Sequence, residues 1–149
     1  MPDLQSDLSE FLPYLLFQAA ELTSRDFQKR YQAQFGMLRT EWRVLFHLGQ
    51  AGEQTAKQIC ERASLHKTKV SRAVSALEKK RFVKRETDHN DRRRELLSLT
   101  KIGNAALADL SKDAAKYDKG FEEVLGADRK AQLLETLKLL IETRNQSTF

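Results

Sequence analysis

The helical spacing of apolar residues runs along most of the chain and is interrupted by one short segment. Apolar residues recur at helical spacing through most of the sequence, and only six glycines and two prolines occur among 149 residues. Between residues 82 and 99 this spacing stops, and two runs typical of β-strands flank the turn-forming stretch Asp88-His89-Asn90-Asp91. The sequence therefore predicts a mainly α fold with a small β-hairpin.

Turn and capping residues indicate where the helices before the hairpin begin and end. We expect a long first helix from Leu12 or Pro13 to about Gln34, because proline is tolerated in a first turn. Thr40 is the predicted N-cap of the second helix, since a threonine hydroxyl can accept a hydrogen bond from the first helical N–H groups. Thr55 is the predicted N-cap of a short third helix for the same reason.

The fourth helix is predicted from His66 to about Lys80, after a tight turn. Two short helices joined in this way and followed by a hairpin form a winged helix-turn-helix. After the hairpin, Thr100 is a predicted cap for a long helix with an apolar stripe from Ile102 to Val124. A last helix follows Gly126.

The predicted domain organisation follows from these elements. Residues 37–100 form the winged helix-turn-helix, and residues 1–36 and 101–149 form the flanking helices. The flanking helices have apolar stripes but lack enough apolar residues for a core of their own. We expect them to pair with the same helices of a second copy, because symmetric dimers are the commonest oligomers. Packing of these stripes within one chain is the alternative.

Positive charge is concentrated in the middle of the chain. Residues 62–101 contain 13 basic and five acidic residues, a net charge of +8, whereas the whole chain has +5. Such a patch attracts polyanions, because neutralising phosphate groups releases their condensed counterions. A solvated charged surface is the alternative, and the predicted winged helix favours nucleic acid.

Several classes of protein are disfavoured. No apolar run approaches the roughly 18 residues that would span a membrane, and Asp3, Asp7 and Glu10 are unlike the basic start of a signal peptide. The single cysteine, Cys60, cannot form an intrachain disulfide and fits a reducing compartment, so we expect a cytoplasmic protein without membrane association. Its position suggests a small buried apolar residue rather than a redox sensor.

The sequence also contains no pattern typical of catalysis. The three histidines fall on three different predicted elements, zinc-ligand spacings are lacking, and no glycine-rich phosphate loop occurs. We therefore expect neither an enzyme nor a metal site or cofactor.

Four motifs follow one another along the middle of the chain. They are residues 40–45, 55–59, 66–78 and Asp88-His89-Asn90-Asp91-Arg92-Arg93, the last followed by Leu99-Thr100 and Gly103. In this order they resemble the MarR family (multiple antibiotic resistance regulators), which are ligand-responsive transcription factors of prokaryotes. The resemblance implies a homodimer, most often a repressor, that binds double-stranded DNA at a near-palindromic operator. It also implies a small aromatic or phenolic effector, for which the sequence identifies no binding residues.

The predicted recognition helix has a polar wall opposite its apolar residues. A helix in the major groove presents its early outward residues to base edges, which makes Thr68, Lys69 and Arg72 the candidates for base recognition. Ser71 and Thr55 are better suited to phosphates. For Arg72 an ion pair with Glu78 is the alternative. The full predicted wall comprises Lys67, Thr68, Lys69, Ser71, Arg72 and Ser75.

The hairpin tip resembles the family's wing. Arg93 matches the family's minor-groove arginine, and narrow grooves attract guanidinium groups. Arg92 and Arg94 are expected to contact phosphates, and Asp91 to cap the turn. The sequence departs from the family at Arg81, where a glycine usually ends the recognition helix in the left-handed conformation. The helix-to-wing join could therefore differ.

Two other classes of function remain open. A winged helix can serve as a protein-interaction module, although such modules tend to lose the basic face and wing arginines. A nucleic-acid-binding protein without sequence preference would retain both. Comparing affinity for the gene's own promoter with affinity for random duplex separates these alternatives.

Overall fold

The structure is a computed structural model that describes residues 7–146. Asp3, named above for its charge, and the outermost parts of the two predicted flanking segments lie outside the described residues. The chain divides into two compact units, the first ending at Ser111 and the second beginning at Lys112. The elements are α1 (Leu12–Phe35), α2 (Arg39–Ala51), α3 (Ala56–Ala63), α4 (Lys67–Lys79), β1 (Val83–Thr87), β2 (Glu95–Leu99), α5 (Lys101–Leu125) and α6 (Ala127–Gln146).

The first two helices meet at a sharp turn. Gly36 ends α1 in the left-handed conformation with φ 61°, and its N–H donates to the Gln32 carbonyl. The predicted N-cap Thr40 is wrong, because α2 begins at Arg39 and its N-cap is Leu38, two residues before Thr40. The carboxylate of Glu41 accepts the Leu38 N–H at 2.8 Å and so supplies the cap that Leu38 itself lacks.

An aromatic cluster fixes α1 against α2. Tyr31, which is fully buried, stacks on Trp42 with 5.7 Å between ring centroids, and Phe27 meets Trp42 edge-on at 5.4 Å. The core of the first unit contains buried residues from the α1–α2 turn, α2, α3, α4, the hairpin and α5. Its largest fully buried side chains include Met37, Val44, Leu45, Ile59, Val70, Val74, Leu77, Leu97 and Leu110.

The short helix α3 and helix α4 form the helix-turn-helix. Thr55 caps α3 as predicted, since its hydroxyl accepts the Gln58 N–H at 3.2 Å. Ser64 makes the turn in the left-handed conformation with φ 51°. Cys60 is half-buried rather than buried, although its neighbour Ile59 is in the core.

The hairpin is a two-stranded antiparallel sheet in which Val83 pairs with Leu99 and Thr87 with Glu95. Gln54, just before α3, adds a short third edge, because it exchanges two backbone hydrogen bonds with Leu97 at 3.1 and 2.8 Å. The predicted helix-then-hairpin order is confirmed, and this bridge anchors the hairpin base to the helical core.

Arg81 joins the recognition helix to the hairpin in the left-handed conformation, with φ 62°. The Phe82 N–H donates to the Leu77 carbonyl and the Arg81 N–H to the Glu78 carbonyl, both at 2.9 Å, which is the Schellman arrangement. The Thr100 hydroxyl donates to the Arg81 carbonyl at 2.6 Å. These contacts let a non-glycine residue occupy the position where the family usually has glycine.

The start of α5 packs closely on this join. The Gly103 N–H donates to the Thr100 hydroxyl at 3.0 Å, so Thr100 caps α5 as predicted. A Cβ on Gly103 would lie 2.0 Å from the Phe82 carbonyl oxygen, so a side chain there would collide with backbone. The predicted apolar stripe is only partly buried, because Ala106 and Leu110 are in the core whereas Ile102 is exposed.

The second unit contains the rest of α5 and helix α6. Tyr117 and Phe121 meet edge-on at 5.2 Å, and Lys130 donates to the Asp118 carboxylate at 2.6 Å. Within its described residues α6 buries none of its side chains. Its exposed apolar residues include Leu139, which is 65% exposed, and Ile141.

Candidate nucleic-acid interface

Helix α4 presents one buried and one exposed wall. Val70, Ala73, Val74 and Leu77 face the core. The N-cap of this helix is His66, whose Nδ1 accepts the Thr68 N–H at 3.2 Å. Sequence reasoning did not identify this cap, because histidine is not among the usual capping residues. All six residues of the predicted wall are exposed, namely Lys67, Thr68, Lys69, Ser71, Arg72 and Ser75.

Thr55 lies at the N-terminus of α3, as predicted, and is half-buried. Its hydroxyl caps the helix, and its own N–H donates to the Gln58 side chain at 2.9 Å. This reciprocal capping fixes the first turn of α3. A phosphate oxygen would therefore meet the N-terminal backbone N–H groups of α3 and a hydroxyl that already accepts one hydrogen bond.

The hairpin tip is shaped by two aspartates. The Asp91 carboxylate accepts the Arg93 N–H at 3.0 Å, and the Asp88 carboxylate accepts the Asn90 N–H at 2.9 Å. The Arg94 N–H donates to the Asp91 carbonyl at 2.9 Å. These bonds close the turn and leave its arginine side chains projecting from a fixed backbone.

The three wing arginines differ in their surroundings. Arg92 and Arg93 are exposed, and neither guanidinium pairs with a carboxylate anywhere in residues 7–146. Arg94 Nε is 4.0 Å from Asp88 Oδ2, at the limit of an ion pair. The tip thus presents positive charge that the protein itself does not neutralise.

Arg85 on β1 is the residue that sequence reasoning missed. Its guanidinium bonds both Glu78 carboxylate oxygens, at 3.0 and 3.1 Å, and the Glu95 carboxylate at 2.8 Å. The hydrogen bonds to Glu78 and then Glu95 raise the pKa of Arg85 above its usual value. Because Arg85 engages Glu78, the alternative ion pair of Arg72 with Glu78 is not formed. No sequence pattern marks this contact, since it crosses the chain reversal at Arg81.

Arg43 on α2 and Arg62 on α3 form a second basic group, next to His47. Arg43 donates to the Ala63 carbonyl at 2.6 Å. Burial lowers the pKa of His47, and the positive charges of Arg43 and Arg62 lower it further. His47 is therefore neutral at neutral pH and adds no charge to the interface.

A shallow groove opens on α2 and α5 within the first unit. Its volume is about 200 Å³. Phe46 is 39% exposed, so one aromatic ring is available to an occupant. The residues that line the groove are Phe46, Gly49, Gln50, Leu107 and Ser111.

Neither a membrane span nor a metal cluster occurs within residues 7–146. Among these residues no helix is long and apolar enough to cross a membrane. Over the same range, no three side chains of His, Cys, Asp or Glu are grouped where they could hold a metal ion.

Comparison with known proteins finds a matching family over part of the chain. The family model described as MarR family matches residues 35–94, which include α2, α3, α4 and the hairpin up to its tip. Over these residues the chain is similar to the MarR family. A MarR/EmrR family transcriptional regulator from Acinetobacter sp. ADP1 is 26% identical with a TM-score of 0.84, over 95% of this chain and 99% of that one.

Two other solved structures share the MarR fold. A mutant of MarR from E. coli, complexed with operator DNA, is 24% identical with a TM-score of 0.79, over 91% of this chain and 99% of that one. NadR in complex with 4-hydroxyphenylacetate is 24% identical with a TM-score of 0.78, over 99% of this chain and 100% of that one. No curated protein shows significant similarity to the chain.

The family confirms the predicted winged helix-turn-helix fold. The matched family and the Acinetobacter relative are transcriptional regulators rather than enzymes, which supports the prediction of a DNA-binding regulator.

Proposed function

We propose that this chain is a member of the MarR family and acts as a homodimeric, ligand-responsive repressor at a near-palindromic operator. Each protomer places the exposed wall of α4 in the major groove and its wing tip in the adjacent minor groove. The observation that carries this proposal is the pair of basic surfaces, on α4 and on the hairpin tip, whose arginines Arg72, Arg92 and Arg93 have no carboxylate partner within residues 7–146. The operator complex of E. coli MarR supports the same mode.

The residues divide by the chemistry of their side chains. Thr68, Lys69 and Arg72 contact base edges, and Arg72 forms two hydrogen bonds to one guanine. Arg93 enters the minor groove, where its guanidinium meets a narrow, electronegative channel. Phosphates are contacted by Thr55, Lys67, Ser71, Ser75, Arg92 and Arg94, while Asp91 holds the turn.

The test of this proposal compares specific with nonspecific duplex. Fluorescence anisotropy at fixed salt measures affinity for the promoter of the chain's own gene and for random DNA of equal length. We expect discrimination of about 10³-fold or more. Equal affinities would favour a nonspecific nucleic-acid-binding protein, and no binding to either duplex would favour a protein-interaction module.

A substitution tests base recognition within the same assay. Arg72→Ala removes a bidentate contact and should weaken operator binding by about 1–3 kcal/mol while relaxing preference at one base position. Arg129→Ala is the matched control, because it removes the same charge from α6 in the other unit. If the two variants lost the same affinity, Arg72 would act only through its charge.

The homodimer is supported by exposed apolar side chains on α1 and α6. Phe17 is 61% exposed and Leu139 is 65% exposed, and each belongs to a series of exposed apolar residues on its helix, which also includes Leu12, Leu15 and Leu22 on α1 and Leu133, Leu134 and Ile141 on α6. Several exposed apolar residues on one helix are typical of an interaction surface. Light scattering should give twice the chain mass of 17.2 kDa. Leu139→Lys should shift this mass toward the monomer, whereas Gln132→Lys, which adds the same charge on α6, should not. A monomeric wild type would refute the dimer.

A small phenolic effector is supported by the groove on α2 and α5. NadR binds 4-hydroxyphenylacetate, and Phe46 and Leu107 here provide apolar contact for an aromatic ring. The effector would favour a spacing of the two DNA-reading lobes that misses consecutive major grooves.

Titration of the protein–operator complex with 4-hydroxyphenylacetate tests the effector. We expect release of DNA and a change in the fluorescence of Trp42, whose ring centroid is 5.7 Å from that of Phe46. Hexanoate, an aliphatic acid, is the control. Equal effects of the two acids would argue against aromatic recognition.

A separate experiment tests repression. Deletion of the gene should raise expression from its own promoter, and a fall in expression would make the protein an activator.

A further inference from the structure

Arg85 lies between the recognition helix and both strands of the wing. Its Nε and Nη2 bond the two carboxylate oxygens of Glu78 on α4, at 3.0 and 3.1 Å. Its Nη1 bonds the carboxylate of Glu95 on β2, at 2.8 Å. One guanidinium therefore connects three elements, and its two parallel bonds to Glu78 fix direction as well as distance.

The pleat of the hairpin places Arg85 where it can make these contacts. Alternate residues of a strand face opposite sides, so Arg85 shares a face with Val83, which is buried. Its cross-strand partner Leu97 is buried as well. Lys84 lies on the other face, where its Nζ pairs with Glu86 at 3.0 Å.

The partial exposure of the Arg85–Glu78 pair indicates that it orients the strand against the helix more than it stabilises the fold. The side chains of Arg85 and Glu78 are 36% and 32% exposed, so solvent screens their attraction and limits what it adds to the stability of the fold. The geometry of a bidentate pair is not screened in this way. A planar guanidinium bonded to two oxygens allows a narrow range of orientations between the strand and the helix.

We propose that Arg85 is a positioning residue that sets the angle of the wing against the recognition helix. With the angle fixed, the wing-tip arginines reach the minor groove while α4 occupies the adjacent major groove. Two contacts held on one rigid body bind more tightly than the same contacts on a hinged one, because the second contact costs less entropy. This inference rests on the proposed DNA-binding mode.

A double-mutant cycle measures this positioning directly. The proteins are the wild type, Arg85→Met, Arg93→Ala and the combined variant, with operator affinity measured by anisotropy at fixed salt. Arg85→Met should weaken binding about 10-fold, and Arg93→Ala should then cost less than about 3-fold, instead of the 10-fold or more expected in the wild type. If Arg85→Met already prevents the wing from reaching the minor groove, then removing the Arg93 side chain can weaken binding only a little further.

Lys84→Met is the matched control for charge. It removes one positive charge from the neighbouring position of the same strand but leaves the link to α4 intact. We expect a smaller loss of affinity, and Arg93→Ala should cost its full amount in that background. Arg85→Lys keeps the positive charge but lacks the planar guanidinium that makes two parallel hydrogen bonds to Glu78, so it should restore less than half of the lost affinity. It also provides a second test if Arg85→Met folds poorly.

Each outcome of the cycle bears on the inference. Additive losses for Arg85→Met and Arg93→Ala would overturn it while leaving the wing contact in place. Equal behaviour of Arg85→Met and Lys84→Met would also overturn it. An unchanged affinity of Arg93→Ala in the wild-type background would overturn both the inference and the wing contact of the proposed function.

Discussion

Two arginines of one hairpin have opposite surroundings. Arg85 gives three hydrogen bonds to two carboxylates, whereas the guanidinium of Arg93 at the tip has no carboxylate partner among residues 7–146. The residue type and charge are the same, so the difference comes from position alone. A partnered arginine holds elements together, while an unpartnered one keeps its donors for a ligand.

The placement of the acidic residues produces this difference. Glu78, Glu86 and Glu95 pair with basic residues of β1. Asp88 and Asp91 accept N–H groups of the turn. All five acidic residues of segment 62–101 are thus accounted for at the hairpin or its join, and the exposed wall of α4 keeps its positive charge for phosphates.

The largest effect on operator affinity is expected at Arg93, the arginine without a carboxylate partner. Arg93→Ala should weaken operator binding by about 1–3 kcal/mol, because it removes a minor-groove guanidinium. The thermal midpoint should hardly change, since the side chain is exposed at the hairpin tip. Anisotropy and a thermal scan on the same preparation test both halves. A midpoint that fell with the affinity would place Arg93 among the structural arginines.

A substitution at Gly103 tests how rigid the join between the recognition helix and the wing is. Gly103→Ala would place a Cβ 2.0 Å from the Phe82 carbonyl oxygen, where the helix-to-wing join meets α5. The free energy of unfolding should fall by about 1–3 kcal/mol, because backbone must move. Gly120→Ala in the same helix meets no atom within 4 Å and should instead stabilise by about 0.5–1 kcal/mol.

Urea unfolding of both glycine variants provides the measurement. Equal stabilities would show that the join yields to the extra methyl group. That result would weaken the comparison, because a join that moves could not hold the wing at one angle.

Features that depend on residues close together in the sequence were predictable, whereas contacts between separate elements were not. Local signals gave correct starts for α3 and α5, since Thr55 and Thr100 cap helices through residues three positions away. They failed at α2, where Glu41 provides the cap that Thr40 was expected to supply. The error is two residues, because the N-cap is Leu38 and the capping contact comes from a side chain three residues further along the chain.

The site was predictable where it depends on helical periodicity. The alternation that buries Val70 and Val74 exposes Lys69 and Arg72, and this follows from the sequence alone. Arg85 was not predictable, because its partner Glu78 lies on another element. Their contact depends on the reversal at Arg81, whose geometry no local pattern specifies.

Arg81 provides a smaller test of the join. Its left-handed backbone costs a non-glycine residue about 1 kcal/mol, so Arg81→Gly should raise the free energy of unfolding by up to about that amount. Lys79→Gly, in the last turn of α4, should lower it by about 0.5–1 kcal/mol, because helical glycine loses more entropy on folding. Urea unfolding separates the two. A loss of stability in Arg81→Gly would mean that the arginine side chain itself supports the join.

The smallest expected effect concerns arginines that act on a histidine rather than on DNA or a carboxylate. Burial, Arg43 and Arg62 lower the pKa of His47 below the usual 6.5. The unfolded chain therefore binds this proton more readily than the folded chain does, so protonation favours unfolding. Stability from neutral His47 is fully present above pH 6.5 and is lost as pH falls through the lowered pKa.

Urea unfolding at pH 7.5 and at pH 5.5 should show this dependence in the wild type. His47→Gln, which cannot be protonated, should be less sensitive to the same change of pH. His89→Gln is the matched control, because His89 is exposed on the wing and should leave the dependence as it is in the wild type. If His47→Gln kept the full dependence, the acid sensitivity between these two pH values would belong to groups other than His47. The positive charges of Arg43 and Arg62 would then not govern His47.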